Sequence, residues 1–206
     1  MPILNVPHEA ELELTHECDW NCRYCAVNTH SLPPVDAADA LRRVERAAAE
    51  RSIVTFSGGE PGLLERRDVE KMLDAVEHTG SVPCLNTNGL FLRRYPDLAP
   101  RFAEIDYHCS RDLGADETFD RYPDLDNIRY MLVVDDENLP RLGAFLDRNS
   151  DVVFDVVPAS YEDGDARRPL SARGRMEIVR RFSGRITFES QRRLFVDKDF
   201  DKVKYF

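Results

Sequence analysis

The chain has no apolar run approaching the roughly 20 residues that cross a bilayer, so a membrane-spanning helix is excluded. It has too few cysteines for a disulfide framework: five is an odd number, and three of them fall within eight residues. The stretch Met1–Glu11 lacks a basic segment followed by an apolar one, and it is not expected to be a secretion signal. No internal repeat, low-complexity tract or linker interrupts the chain. What remains is 206 residues, 42% of them apolar, enough to build one ordinary domain with a core. A cytoplasmic, reducing setting is expected, because clustered thiols suit a metal site there.

Positive charge is scarce overall, with a net charge of −10. It is also unevenly placed. Residues 166–206 hold 12 Lys and Arg against 5 Asp and Glu, while the rest holds 16 against 33. Either the chain is an acidic body with a solvated basic helix, or its C-terminal face meets an anion.

Short β-like runs alternate with helix-like runs. Glu11–Thr15 alternates polar and apolar residues, as a strand does. Asp36 is placed to cap a helix with Ala37, Ala40, Leu41, Val44, Ala47 and Ala48 on one face. Strands are expected at 52–56, 82–85, 105–109, 129–134 and 152–157, with one further strand at 186–188. Helices are expected around Val69, Met72, Leu73 and Val76 (stopped near Gly80), at 117–121, 139–146 and 173–182. About six βα units of this length predict an α/β fold. The expected form is a partial (β/α)6 barrel, a parallel curved sheet with outer helices. Residues 1–165 are expected to form the core domain. Residues 166–206 would add a C-terminal helix and a basic, aromatic tail that complete the same domain. In such folds chemistry gathers at the carboxyl ends of strands, and the polar motifs fall there.

The first motif is Cys18-Asp19-Trp20-Asn21-Cys22-Arg23-Tyr24-Cys25. Three thiolates on one loop suit three corners of a 4Fe–4S cube and leave one iron open to a small molecule. The spacing by itself also admits structural zinc, with His16 or His30 as fourth ligand, in a zinc-stabilised interaction module. Cys84 and Cys109 stand alone and read as small buried residues. Ser57-Gly58-Gly59-Glu60-Pro61 follows the second strand, where glycines let backbone approach a ligand and a glutamate can accept from an ammonium group. Asn86-Thr87-Asn88-Gly89 closes the third strand. Cys109-Ser110-Arg111-Asp112 runs toward Glu117-Thr118-Phe119-Asp120-Arg121, and Val133-Val134-Asp135-Asp136-Glu137-Asn138-Leu139 leaves the fifth strand.

Together these motifs resemble the radical S-adenosylmethionine (radical SAM) superfamily over residues 11–158. The closest likeness is to the molybdenum-cofactor and peptide-modifying members, in a chain about as short as the 7-carboxy-7-deazaguanine synthases. The resemblance implies that Cys18, Cys22 and Cys25 hold a 4Fe–4S cluster. It implies that Tyr24, Gly58, Gly59, Glu60, Pro61, Asn88 and Ser110 bind S-adenosylmethionine (AdoMet). Glu60 would meet the amino group, Tyr24 would lie beside the adenine, and Ser110 would contact the ribose or carboxylate. It further implies reductive cleavage of AdoMet to methionine and a 5′-deoxyadenosyl radical that takes hydrogen from a substrate. A flavodoxin- or ferredoxin-like protein would supply the electron. His108 is a candidate proton donor to the substrate. Arg167, Arg168, Arg173, Arg175, Arg192 and Arg193 are candidate contacts to an anionic substrate, either a nucleotide or a base within nucleic acid. The alternatives are a peptide or small-metabolite modifier and a glycyl-radical activating enzyme. The chain departs from the resemblance in having no second cysteine cluster, and Leu194–Phe206 matches nothing in it.

Overall fold

The structure, a computed structural model, describes residues 9–22, 24–25, 32–111, 113, 119–159 and 170–187. Among the described residues six strands form one open sheet in the order β1 to β6: β1 Glu9–Thr15, β2 Ile53–Gly58, β3 Val82–Thr87, β4 Glu104–Ser110, β5 Ile128–Val134 and β6 Asp155–Pro158. Neighbouring strands run parallel, as the expected partial barrel requires. The helices are α1 Ala37–Glu50, α2 Arg66–Thr79, α3 Leu90–Arg94, α4 Leu139–Arg148 and α5 Ala172–Phe182.

The residues divide into two compact units. One takes in the described residues of Met1–Asn21, Val27–Tyr107 and Arg121–Arg129; the other takes in those of Cys22–Ala26, His108–Asp120 and Tyr130–Phe206. In the first unit α1 begins at Asp36, whose side chain accepts from Asp39 N, and buries Ala40, Val44, Ala47 and Ala48. Helix α2 buries Val69, Met72, Leu73 and Val76, the stripe expected of its sequence, and ends at Gly80 with φ 78°. These stripes cover the face of the sheet that carries Val54, Phe56, Leu85 and Ile105, all essentially without exposure. Each fully buried side chain of this size is worth about 1.5–3 kcal/mol, which holds the helices against the strands. Phe91 stands edge-on to Phe102 and Tyr95, and Phe102 edge-on to Phe56.

The opposite face of β1–β4 is polar. Glu9, Glu11, Thr55, Ser57, Asn86, Glu104 and Asp106 alternate with the core residues, because successive side chains on a strand point to opposite faces. Ser57 Oγ donates to Glu11 at 2.7 Å, and Asn86 Nδ2 donates to Glu11 at 3.1 Å. Arg129 grips Asp106 with two bonds of 2.7 and 2.8 Å.

The second unit is built on aromatic packing. Phe154 lies 5.6 Å from Phe145 and 5.7 Å from Phe119, centroid to centroid. At the exit of β5 the Asp135 carboxylate accepts from Glu137 N and Asn138 N, which turns the chain into α4. Asp136 accepts from Ser171 N and Oγ, both at 2.9 Å, and ties the start of α5 to this turn.

Three expectations change. Phe119–Arg121 is not helical, and the rest of the expected 117–121 helix lies outside the described residues. The strand expected from 152 begins at Asp155; Phe154 makes only an isolated bridge with Ile186. That bridge is all that is described of the further strand at 186–188. The apolar run is longer than the ladder because its first residue still belongs to the turn after α4: Val152 N donates to Asn149 O at 3.1 Å, and Val153 is 60% exposed.

Candidate cofactor site

The exits of β1, β2 and β3 meet in the first unit. Gly58 has φ 108°, a backbone conformation that favours glycine, and a Cβ there would lie 2.5 Å from Thr15 O. At Gly59 an added Cβ would run into Glu17 O. With no side chains in the way, Gly59 N donates to Thr15 O at 2.6 Å and Glu60 N to Glu17 O at 2.7 Å. These two bonds bind the Gly-Gly-Glu-Pro loop to the stem of the cysteine loop.

Glu60 is fully buried. Its carboxylate accepts from Gly62 N at 2.8 Å, Asn88 N at 2.7 Å, Phe91 N at 3.1 Å and Thr87 Oγ at 2.9 Å. Burial pushes its carboxyl above the usual carboxylate range, against the pull of the donors from Asn88, Gly62, Thr87 and Phe91. The side chain is therefore a hub that fastens the exit of β3 and the start of α3 to the exit of β2. Sequence reasoning missed this hub. The signal was present in Thr87-Asn88-Gly89, since a turn of that composition offers several donors at once. Pro61 opens a 3-10 turn at Pro61–Leu63 and is buried.

Cys18, Cys22 and Cys25 form no disulfide and are half-buried. Cys18 Sγ accepts from Trp20 N at 3.4 Å and from Asn88 Nδ2 at 3.8 Å. In the other unit Cys25 N donates to Cys22 O at 3.1 Å, so the chain turns tightly between these two cysteines. Among the described residues no three His, Cys, Asp or Glu side chains form a set for a single metal ion. An iron–sulfur cube takes its thiolates on separate irons and needs no such set. A Cys18 sulfur that accepts N–H donors, on a loop bonded to a glycine cradle that a Cβ would fill, fits a thiolate ligand of a 4Fe–4S cluster with a small ligand next to it.

The remaining candidates are placed as follows. Tyr24 is buried, at 8% exposure, in the second unit. His108 is half-buried on β4, and Ser110 ends that strand, its side chain outside the described residues. Arg173 is exposed in the first turn of α5, and Arg175 donates to Leu170 O at 3.2 Å. Arg167, Arg168, Arg192, Arg193 and His30 lie outside the described residues. His16 Nδ1 donates to Pro33 O at 2.6 Å, and its Nε2 sits 3.3 Å from Glu13. Cys109 is buried, as expected; Cys84 is half-buried, and burial beside Glu104, Glu9 and Asp106 pushes its thiol up to about 11. No helix of the described residues is long and apolar enough to cross a membrane.

Residues 12–130 match the family model of the radical SAM superfamily. The chain belongs to that superfamily. Membership implies a 4Fe–4S cluster and AdoMet, which decides between the cluster and the zinc that the cysteine spacing left open. No curated protein matches the chain. Among solved structures, this radical SAM chain resembles hexahistidine-tagged anSMEcpe with bound AdoMet, at a TM-score of 0.62 and 14% identity over 84% of this chain and 58% of that one. It also resembles Streptococcus suis SuiB bound to S-adenosylmethionine, at a TM-score of 0.58 and 19% identity over 98% of this chain and 56% of that one. SuiB bound to the precursor peptide SuiA gives 0.59 at the same identity and coverage. These likenesses show a shared fold. The chain spans less than three-fifths of the length of these neighbours.

Proposed function

We propose that the chain is a radical SAM enzyme in which Cys18, Cys22 and Cys25 hold the cluster and the exits of β2 and β3 hold AdoMet. The observation that carries this reading is the pair of backbone bonds from Gly59 and Glu60 to Thr15 and Glu17, which set the Gly-Gly-Glu-Pro loop against the cysteine loop. When bound, the cluster and AdoMet supply a reductively generated 5′-deoxyadenosyl radical that takes a hydrogen atom from the substrate.

The protein's part is to bind and to orient. Gly58 and Gly59 admit the methionine end of AdoMet close to the backbone. Glu60 adds a buried negative charge that favours an ammonium group nearby, although its lone pairs already serve protein donors. Tyr24 offers its ring to the adenine, and Ser110 and Asn88 offer polar groups to the rest of the cofactor. His108 stands as a proton donor to the substrate. In this reading residues 1–165 are the catalytic core, residues 166–206 complete it, and a flavodoxin- or ferredoxin-like reductant serves it in the cytoplasm.

The substrate in this proposal is anionic, a nucleotide or a base in nucleic acid. Its support is the segregation of positive charge into residues 166–206, with Arg173 exposed on α5. A second reading, a peptide substrate, is favoured by one finding: SuiB with its precursor peptide SuiA shares this fold.

The test of the chemistry is anaerobic reconstitution with iron and sulfide, reduction by dithionite and assay for 5′-deoxyadenosine. Formation of 5′-deoxyadenosine and methionine in equal amounts is expected; intact AdoMet after full cluster reduction refutes the reading. Binding to single-stranded oligonucleotides that weakens steeply with salt supports the anionic substrate. Salt-independent binding of peptides in its place supports the second reading.

A further inference from the structure

We propose that Asn88 is an outer hydrogen-bond partner of the cluster, acting on the Cys18 sulfur, and that Glu60 is the residue that holds it there. The inference rests on the cluster assignment above and gives Asn88 a second role beside its contact with AdoMet.

The geometry constrains the backbone N–H and both side-chain polar atoms of Asn88. Its backbone N–H donates to Glu60 Oε2 at 2.7 Å. Its side-chain oxygen accepts from Leu90 N at 3.0 Å. That bond fixes which way the amide faces, because an amino group there would oppose a donor with a donor. The amino end consequently points to the cysteine loop, where it donates to Asp19 Oδ1 at 2.6 Å and to Cys18 Sγ at 3.8 Å. An amide carries two N–H groups, and these two acceptors use both. Only 8% of Asn88 is exposed, so water competes little for either bond.

Glu60 acts at one remove. Its carboxylate also accepts from Thr87 Oγ and Phe91 N, so it pins the residues on both sides of Asn88. In turn Thr87 Oγ accepts from Gly89 N at 3.0 Å. A shift of the exit of β3 would break several buried bonds together. The Asn88 amide is thereby a preset donor, held before any metal arrives.

The consequence follows from electrostatics. A ligand thiolate gains charge density when the cluster is reduced, and an N–H pointed at it stabilises the reduced state more than the oxidised one. Hydrogen bonds to cluster sulfurs are among the factors that set reduction potential, and the partners of metal ligands tune the metal. Asn88 therefore raises the potential of the cluster and makes it easier to reduce. The Trp20 N–H, 3.4 Å from the same sulfur, acts in the same direction.

The test is the midpoint potential of the reconstituted full chain, read by electron paramagnetic resonance during a redox titration without AdoMet. Asn88→Ser keeps an oxygen for the Leu90 N–H but is too short to reach Cys18. It is expected to lower the reduced-to-oxidised ratio at a fixed potential by about tenfold, equal to a downward shift of ~59 mV for a one-electron couple. Iron content should stay at the wild-type level. Glu60→Gln, which disturbs Asn88 through its backbone, is expected to shift the potential in the same direction. A second measurement needs no variant: asparagine-selective 15N labelling of the wild type should give an amide nitrogen coupling to the reduced cluster in electron–nuclear double resonance. An unchanged potential in Asn88→Ser, or no such coupling in a wild type that holds its cluster, overturns the inference alone. A wild type that assembles no cluster overturns the assignment beneath it as well.

Discussion

Replacing Glu60 by Gln removes one charge and almost no volume, and the structure lets its cost be worked out. The carboxylate serves four donors: Gly62 N and Phe91 N on Oε1, Asn88 N on Oε2, and Thr87 Oγ on both. A glutamine has one acceptor oxygen and one amino group. With its oxygen in the Oε1 position it keeps Gly62, Phe91 and Thr87 but sets its amino group against the Asn88 N–H. The reverse orientation opposes two N–H groups, so the first is preferred. One buried N–H left without an acceptor costs about 1–3 kcal/mol. The bonds that survive lose the assistance of charge, and the sum comes to about 2–4 kcal/mol. For a chain of this size that is roughly a 4–15 °C fall in Tm. The assay is urea and thermal unfolding of the metal-free protein, so AdoMet and the cluster take no part. A cycle with Thr87→Val should show coupling of at least about 0.5 kcal/mol between the two positions. If Glu60→Gln unfolds within about 0.5 kcal/mol of the wild type, the hub is not what holds the strand exits together.

Three further outcomes are expected. Ala at Cys18, Cys22 or Cys25 should abolish the brown colour and the four irons and four sulfides per chain, whereas Cys84→Ala and Cys109→Ala should retain them; one zinc per chain with no sulfide would refute the cluster. Gly59→Ala drives a Cβ into Glu17 O and should destabilise the metal-free protein by about 1–3 kcal/mol, read by the same unfolding assay; normal stability would mean that the two loops are not in contact. Because the Cys84 thiol is raised from 9.0 to about 11, its thiolate fraction at pH 8 is about 100-fold below that of an ordinary thiol. Iodoacetamide at pH 8 should leave it unmodified in the native protein and modify it in urea, and fast native labelling would contradict the burial.

Much of the fold lies in local sequence pattern. The stripe Val69, Met72, Leu73 and Val76 is buried in α2 as its spacing demands, and Gly80 stops the helix with a positive φ. Asp36 caps α1 with its own side chain. Such features are written within a few residues, which is why periodicity and cap chemistry recover them. Where pairing depends on a distant segment, the pattern misleads: Val152–Phe154 reads as strand but lies ahead of β6.

The sequence by itself determined the identity of the motifs and their order at strand exits, because glycines, clustered thiols and β-branched runs carry their chemistry wherever the chain takes them. It could not determine which groups Glu60 meets. Thr87, Asn88 and Phe91 lie 27–31 residues away along the chain, and only the parallel register of β2 with β3 brings their donors to its carboxylate. The contact of Asn88 with Cys18 spans 70 residues and arises in the same way. A buried charge must find its partners in three dimensions, and a local pattern holds no record of them.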